Sequence, residues 1–254
     1  MISISFSTTT NSPHFIAGTC THLWLLDLSS LNKSTIASLQ HLLPTDELTR
    51  AQSMRRNPDA AIAIRLFVRL CLAPYYDIAP QALKFEKKEK GKPYVANTSS
   101  NVHFNLSHTD DTAILAISQQ NPIGVDIEKA ERKSDISGIA DNFFAEQEVS
   151  QIKQQDEGQK KAFFFRLWTL KEAFLKATGD GISIGLEKVV FNLNHDKIQL
   201  SLSSELNENA LDWQFYQTFL TTTLCVAVAK KQAHPIQPLW FNGNNLFHQN
   251  RLTD

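Results

Sequence analysis

Gly124-Val125-Asp126-Ile127-Glu128 lies near the middle of a 254-residue chain. From Ile123 onward apolar and polar residues alternate, which is the period of a β-strand. On such a strand Asp126 and Glu128 share one face, while Val125 and Ile127 enter a core. Two carboxylates side by side repel each other unless a cation sits between them. Oxygen-only ligands of this kind suit Mg²⁺, which keeps waters and shares the phosphate oxygens of a substrate. The plainer alternative is a solvated strand edge that happens to carry two acids.

Outward from this strand, the order strand, helices, strands occurs twice, with a seam at 119–122. On the N-terminal side, residues 22–28 read as a buried strand. Pro44-Thr45-Asp46-Glu47 reads as a helix start with acids in its first turn. A helix follows Pro58 to about residue 72, with Ile62, Leu66 and Leu70 at helical spacing, and Pro74 is expected to stop it. Arg65 and Arg69 lie on one edge of that helix, as phosphate ligands or as its polar edge. Residues 84–92 are polar and basic and end in Gly91-Lys92-Pro93. Residues 102–107 alternate, with Val102, Phe104 and Leu106 on one face and His103, Asn105 and Ser107 on the other. Residues 112–118 read as another buried strand.

On the C-terminal side, helices are expected over 136–154 and from about Gln159 to Gly179, whose missing Cβ suits a helix end. Strands are expected over 189–193, 198–202, 213–221 and 224–229, with an Asn194-His195-Asp196 turn joining the first two. Residues 234–254 show little periodicity and are expected to wrap the surface. The fold class is α+β.

Composition narrows the function. Hydrophobic residues make up 42% and charged residues 20%, and 25 Lys+Arg face 26 Asp+Glu. No global positive charge points to nucleic acid or membrane, so any anion site is local. Cys20, Cys71 and Cys225 are odd in number and far apart, which suggests a reducing compartment and no disulfide framework. The first 21 residues lack the pattern of a signal peptide, and no apolar run is long enough to span a bilayer. A cytoplasmic, soluble protein is the expectation. Glycine-rich phosphate loops, Gly-x-Ser-x-Gly elbows and Cys/His zinc clusters are absent, which argues against P-loop kinases, serine hydrolases and zinc enzymes.

Trp168, Glu172 and Lys176 follow one another at four-residue steps, on a stripe separate from the core-facing Leu167, Leu170, Phe174 and Ala177. Glu172 and Lys176 form either an ordinary surface pair or, with Glu172 half-buried beside a metal, a third ligand or a general base. Phe104-Asn105-Leu106-Ser107-His108 ends a strand. Neighbours on a strand face opposite ways, so Ser107 and His108 do not make a nucleophile–base pair. They suit a phosphate-holding corner or a simple capped turn. Lys92 is either a phosphate contact or a solvated lysine.

Taken in order, Gly91-Lys92-Pro93, Phe104 to His108, Gly124 to Glu128 and Trp168-Thr169-Leu170-Lys171-Glu172-Ala173-Phe174-Leu175-Lys176 resemble the motifs of the 4′-phosphopantetheinyl transferases. The resemblance covers residues 44–186, and the length is similar to the long, surfactin-synthetase-activating class. It implies two similar α/β halves, a pseudo-dimer in one monomer, with the active site at their interface. The halves are expected at 1–120 and 121–254, the second with a C-terminal extension.

The resemblance further implies transfer of the phosphopantetheine arm of coenzyme A to a serine of an acyl or peptidyl carrier protein, releasing adenosine 3′,5′-bisphosphate. By motif, Asp126, Glu128 and Glu172 would hold Mg²⁺ (or Mn²⁺). Glu172 would serve as base, directly or through a metal-bound water, and Lys176 would stabilise developing charge. Lys92, Ser107 and His108 would hold the coenzyme A phosphates. The family often places basic residues just after the helix-start proline; here Thr45, Asp46 and Glu47 stand there, which leaves Arg50, Arg55, Arg56 and Arg65 as substitutes. The carrier would meet residues 129–148, where Phe143 and Phe144 are either partner contacts or core. A coenzyme A or carrier-binding module without catalysis and a Mg²⁺-dependent nucleotide hydrolase are the competing functions.

Overall fold

The computed structural model describes Phe6 and residues 21–131, 135–194 and 197–250. In chain order the elements begin with β1 (Thr21–Asp27), α1 (Lys33–Leu39), α2 (Thr45–Gln52), α3 (Pro58–Tyr76), β2 (Phe85–Lys87), β3 (Pro93–Val95), β4 (Val102–His108) and β5 (Thr112–Gln119). They continue with β6 (Ile123–Lys129), α4 (Ile136–Phe143), α5 (Glu146–Lys153), α6 (Glu157–Thr178), β7 (Val189–Asn194), β8 (Lys197–Leu202), β9 (Trp213–Phe219), β10 (Leu224–Lys231), β11 (Pro238–Asn242) and α7 (Asn244–Gln249). The fold is α+β. No helix among the described residues is long and apolar enough to cross a membrane.

Two compact units emerge. One comprises Ser5–Lys88, Pro93–Gln120 and Pro238–Asp254; the other comprises Met1–Ile4, Glu89–Lys92 and Asn121–Gln237. In the first unit the sheet order is β11-β1-β5-β4. Trp24 and Leu26 of β1, Leu66, Phe67 and Leu70 of α3, Leu115 and Ile117 of β5 and Phe241 share one core. The expectation for 234–254 was a surface wrap, and here the chain differs. Pro238 to Asn242 runs parallel to Thr21 to Leu25 as an edge strand, and Leu246 and Phe247 of α7 are buried. A parallel strand of five residues is too short to display a period, which is why it escapes sequence reading. Strand β11 and helix α7 thus pack with the first unit.

Helix α3 also departs from expectation, since it passes through Pro74 and ends at Tyr76. Proline in the last turn forfeits one backbone bond there, and Asp77, in left-handed conformation at φ 53°, caps the end by donating its N–H to the Ala73 carbonyl. Arg69 resolves as neither phosphate ligand nor polar edge. It is buried within the unit, with Nε and Nη2 on the two Glu47 oxygens at 3.1 and 2.6 Å and Nη1 on the Pro80 and Leu83 carbonyls at 2.6 and 3.0 Å. That arrangement explains the acidic residue at the helix start: Glu47 is the counter-ion of a core arginine.

In the second unit β6, β10 and β9 form an antiparallel sheet in the order β6-β10-β9, and β7 pairs with β8. Helix α6 packs along β6 and β10. The single helix expected over 136–154 is two. Phe144 and Ala145 are extended, and the Glu148 carboxylate takes the Ala145 N–H at 3.1 Å, which starts α5 afresh. Phe144 turns inward to stack on Phe164 at 5.2 Å, while Phe143 is half exposed. Apart from Phe6, which bridges to Trp240, the lead-in before residue 21 lies outside the described residues. So do His195-Asp196 of the expected turn and residues 132–134 of the expected carrier-binding segment.

Candidate active site

The site grows from the packing of α6 on β6. Residues Gly124, Asp126 and Glu128 share a face of β6, and that face meets the helix. A Cβ on Gly124 would fall 2.0 Å from the Ala173 carbonyl oxygen and 2.4 Å from the Ala177 nitrogen, both backbone atoms. Only glycine permits this approach. Val125 and Ile127, on the opposite face, are fully buried, as the alternation predicts. Helix α6 ends where expected, at Gly179, whose φ of 84° and N–H bond to the Leu175 carbonyl form a left-handed cap.

This approach brings Lys176 onto Asp126, with Nζ donating to Oδ1 at 2.6 Å. Asp126 is only 3% exposed, whereas Lys176 is half-buried. Trp168, Glu172 and Lys176 form the half-buried stripe that their spacing predicts, and Trp168 stacks on Phe164 at 5.9 Å. Burial pushes the Glu172 carboxyl above the usual range, and the charges of Asp126 and Glu128 add to the rise, with Lys176 opposing it. One Glu172 oxygen, Oε1, is buried with no hydrogen-bond partner among the described residues.

The charges of Asp126 and Glu128 thus act on Glu172 together with the Lys176 ammonium. By donor chemistry, oxygens of this kind suit a hard divalent cation such as Mg²⁺. Among the described residues, no three His, Cys, Asp or Glu side chains already converge closely enough to hold an ion.

The residues expected to contact phosphate lie as follows. Lys92 Nζ donates to the Ile123 carbonyl at 3.0 Å and the Ala177 carbonyl at 2.8 Å, joining the start of β6 to the last turn of α6. Lys90 pairs with Asp180 beside it. In the other unit, Ser107 is buried while its neighbour His108 is exposed, with Nδ1 3.2 Å from the Thr109 carbonyl. That is the opposed orientation expected of strand neighbours. Arg50 is exposed in an i,i+4 pair with Asp46, Arg55 and Arg56 are exposed, and half-buried Arg65 donates to the Ala61 carbonyl at 2.9 Å.

Sequence reasoning missed a second buried ion pair. Lys171 and Glu148 are wholly buried and 2.7 Å apart. A lysine one residue after Leu170, on the core side of α6, was the available signal, because a buried ammonium requires a partner.

Comparison with known proteins identifies the family. Residues 122–229 match the family described as the 4′-phosphopantetheinyl transferase superfamily, and residues 31–120 match 4′-phosphopantetheinyl transferase, N-terminal. The 4′-phosphopantetheinyl transferase HetI of Nostoc sp. is 36% identical over 169 residues, covering 64% of this chain and 70% of the relative. The enzyme psf-1 of Bacillus pumilus is 33% identical over 166 residues, covering 65% and 70%. Sfp of Bacillus subtilis is 34% identical over 131 residues, covering 52% and 57%. With both matched regions in one chain and relatives aligned across most of their length, the chain belongs to the 4′-phosphopantetheinyl transferases.

Proposed function

We propose that this transferase moves the phosphopantetheine arm of coenzyme A to a serine of an apo acyl or peptidyl carrier protein and releases adenosine 3′,5′-bisphosphate. The observation that carries the reading is Glu172: a half-buried carboxylate with an oxygen that meets no donor among the described residues, on one stripe with the lysine that grips Asp126. Glu172 accepts the proton of the carrier serine hydroxyl. The serine oxygen forms a bond to the phosphorus of the arm, and the bond from that phosphorus to the bridging oxygen breaks. Lys176 offsets the negative charge that builds on the phosphate oxygens. Asp126, Glu128 and Glu172 are the residues that would hold Mg²⁺, which when bound neutralises pyrophosphate charge. The phosphate contacts implied at Lys92, Ser107, His108, Arg50, Arg55 and Arg65 are part of the proposal.

The test mixes the purified protein with Mg²⁺, coenzyme A and a panel of apo carrier proteins, followed by intact mass. One phosphopantetheine gained on a carrier, and lost with chelator, is the expected result. Coenzyme A binding without any gain would point to a binding module, and adenosine 3′,5′-bisphosphate released without a carrier would point to a hydrolase.

A further inference from the structure

Helix α6 presents its chemistry on one side only, so its rotation about its own axis decides whether Glu172 and Lys176 face Asp126. At 3.6 residues per turn and a radius with side chains of about 5–6 Å, a turn of about 20° carries a side-chain tip ~2 Å. Apolar packing opposes such a turn through close contact, but its attractions are not directional. The residue next to Glu172 supplies the direction. Lys171 Nζ donates to Glu148 Oε2 at 2.7 Å, to the Leu186 carbonyl at 2.8 Å and to the Val189 carbonyl, and lies 4.9 Å from the centre of the Phe144 ring. An ammonium has three N–H groups, and here each has an acceptor. The Glu148 oxygens in turn take the N–H groups of Ala145 at 3.1 Å and Phe191 at 2.8 Å.

We infer that the Glu148–Lys171 pair is a positioning device: it fixes the rotation of α6 and so holds Glu172 and Lys176 against Asp126. The anchors come from separate segments, namely the start of α5, the turn around Leu186, and β7. A buried ion pair is seldom worth more than well-packed apolar residues of the same volume, so stability alone does not account for it. Its added property is fixed geometry. The inference rests on the proposed reaction for its kinetic consequence, but its structural content stands without it.

The test compares wild type with the shape-conserving double variant E148L/K171M and with the single variant Glu148→Gln. Four quantities are read: thermal unfolding, kcat, KM for coenzyme A in transfer to a carrier, and the Lys176 ammonium signal in ¹⁵N-lysine spectra, assigned with Lys176→Arg. The double variant is expected to unfold cooperatively near the wild-type temperature. Its kcat should fall about 10- to 100-fold, as misplacement near 1 Å does, with KM changed less than threefold and the Lys176 signal shifted. Should the double variant not fold, Glu148→Gln carries the same comparison, with the same split and shift expected. A folded variant with kcat within twofold of wild type and an unmoved Lys176 signal overturns the inference. Should wild type itself transfer nothing to any carrier, the proposed function falls, and the Lys176 signal, which needs no activity, decides the positioning role alone.

Discussion

Lys176 Nζ lies 2.6 Å from Asp126 Oδ1, bridging fifty positions of sequence between α6 and β6. The ammonium pairs with Asp126, while Glu172 keeps a buried oxygen without a donor among the described residues. Replacing Glu172 by glutamine should therefore separate activity from stability. Transfer to a carrier should be lost, while stability without divalent cation should rise by about 1 kcal/mol, because a repelling charge is gone. Paired activity and calorimetry measurements check this; an active variant would refute the role given to Glu172.

Gly124→Ala should be costly for a reason unrelated to charge. The new methyl would meet two backbone atoms of α6, and backbone cannot swing aside as a flexible side chain can. Strand and helix would have to part, at about 1–3 kcal/mol or more. Denaturant unfolding gives the loss, and kcat should fall further than the folded fraction explains.

Arg69→Lys should destabilise the first unit although charge is kept. Lysine cannot reproduce two parallel bonds to Glu47 together with two to the carbonyls of Pro80 and Leu83. Glu47→Ala, which leaves a buried guanidinium without its carboxylate, should cost about 3–5 kcal/mol. Chemical denaturation of both variants tests the pair; losses below about 1 kcal/mol would contradict it.

Lys171→Met should make stability depend on pH. Burial already holds the Glu148 carboxyl above its usual range, with Lys171 and the N–H groups of Phe191 and Ala145 drawing it down. Without Lys171 its pKa rises further. A carboxyl raised in the folded state contributes stability below its unfolded pKa and loses it as pH climbs through the folded value. The gap between wild type and variant should thus widen from pH 5 to pH 8. Glu187 acts on Lys171 as well, so the same scan on Glu187→Gln serves as control. Denaturation midpoints across that range measure the gap, and a constant gap would exclude the effect.

The core of the site was legible because two periods carry it. The alternation at Ile123 to Glu128 sets the acids on one face of β6, and four-residue spacing sets Trp168, Glu172 and Lys176 on one stripe of α6. Gly179 announces the helix end by its chemistry. What sequence hid depends on long-range partners. The partners of Arg69 and Lys171 are Glu47 and Glu148, which arrive from elsewhere in the chain. The two backbone carbonyls that the Lys92 ammonium reaches, those of Ile123 and Ala177, leave no mark in the local sequence. The break at Ala145 comes from a glutamate three residues on, and β11 is too brief to have a period.

The parallel pairing of β11 with β1 bears on how the chain is made. Asp27 N–H donates to Asn244 Oδ1 at 3.0 Å across 217 positions, and Phe241 stacks on Trp24 at 4.6 Å. During synthesis, β1 leaves the ribosome with one edge unpaired and waits for nearly all of the remaining chain before its neighbour exists. The first-made sheet is thus the last one finished, and until then its open edge is a surface on which a chaperone or a second nascent chain can pair.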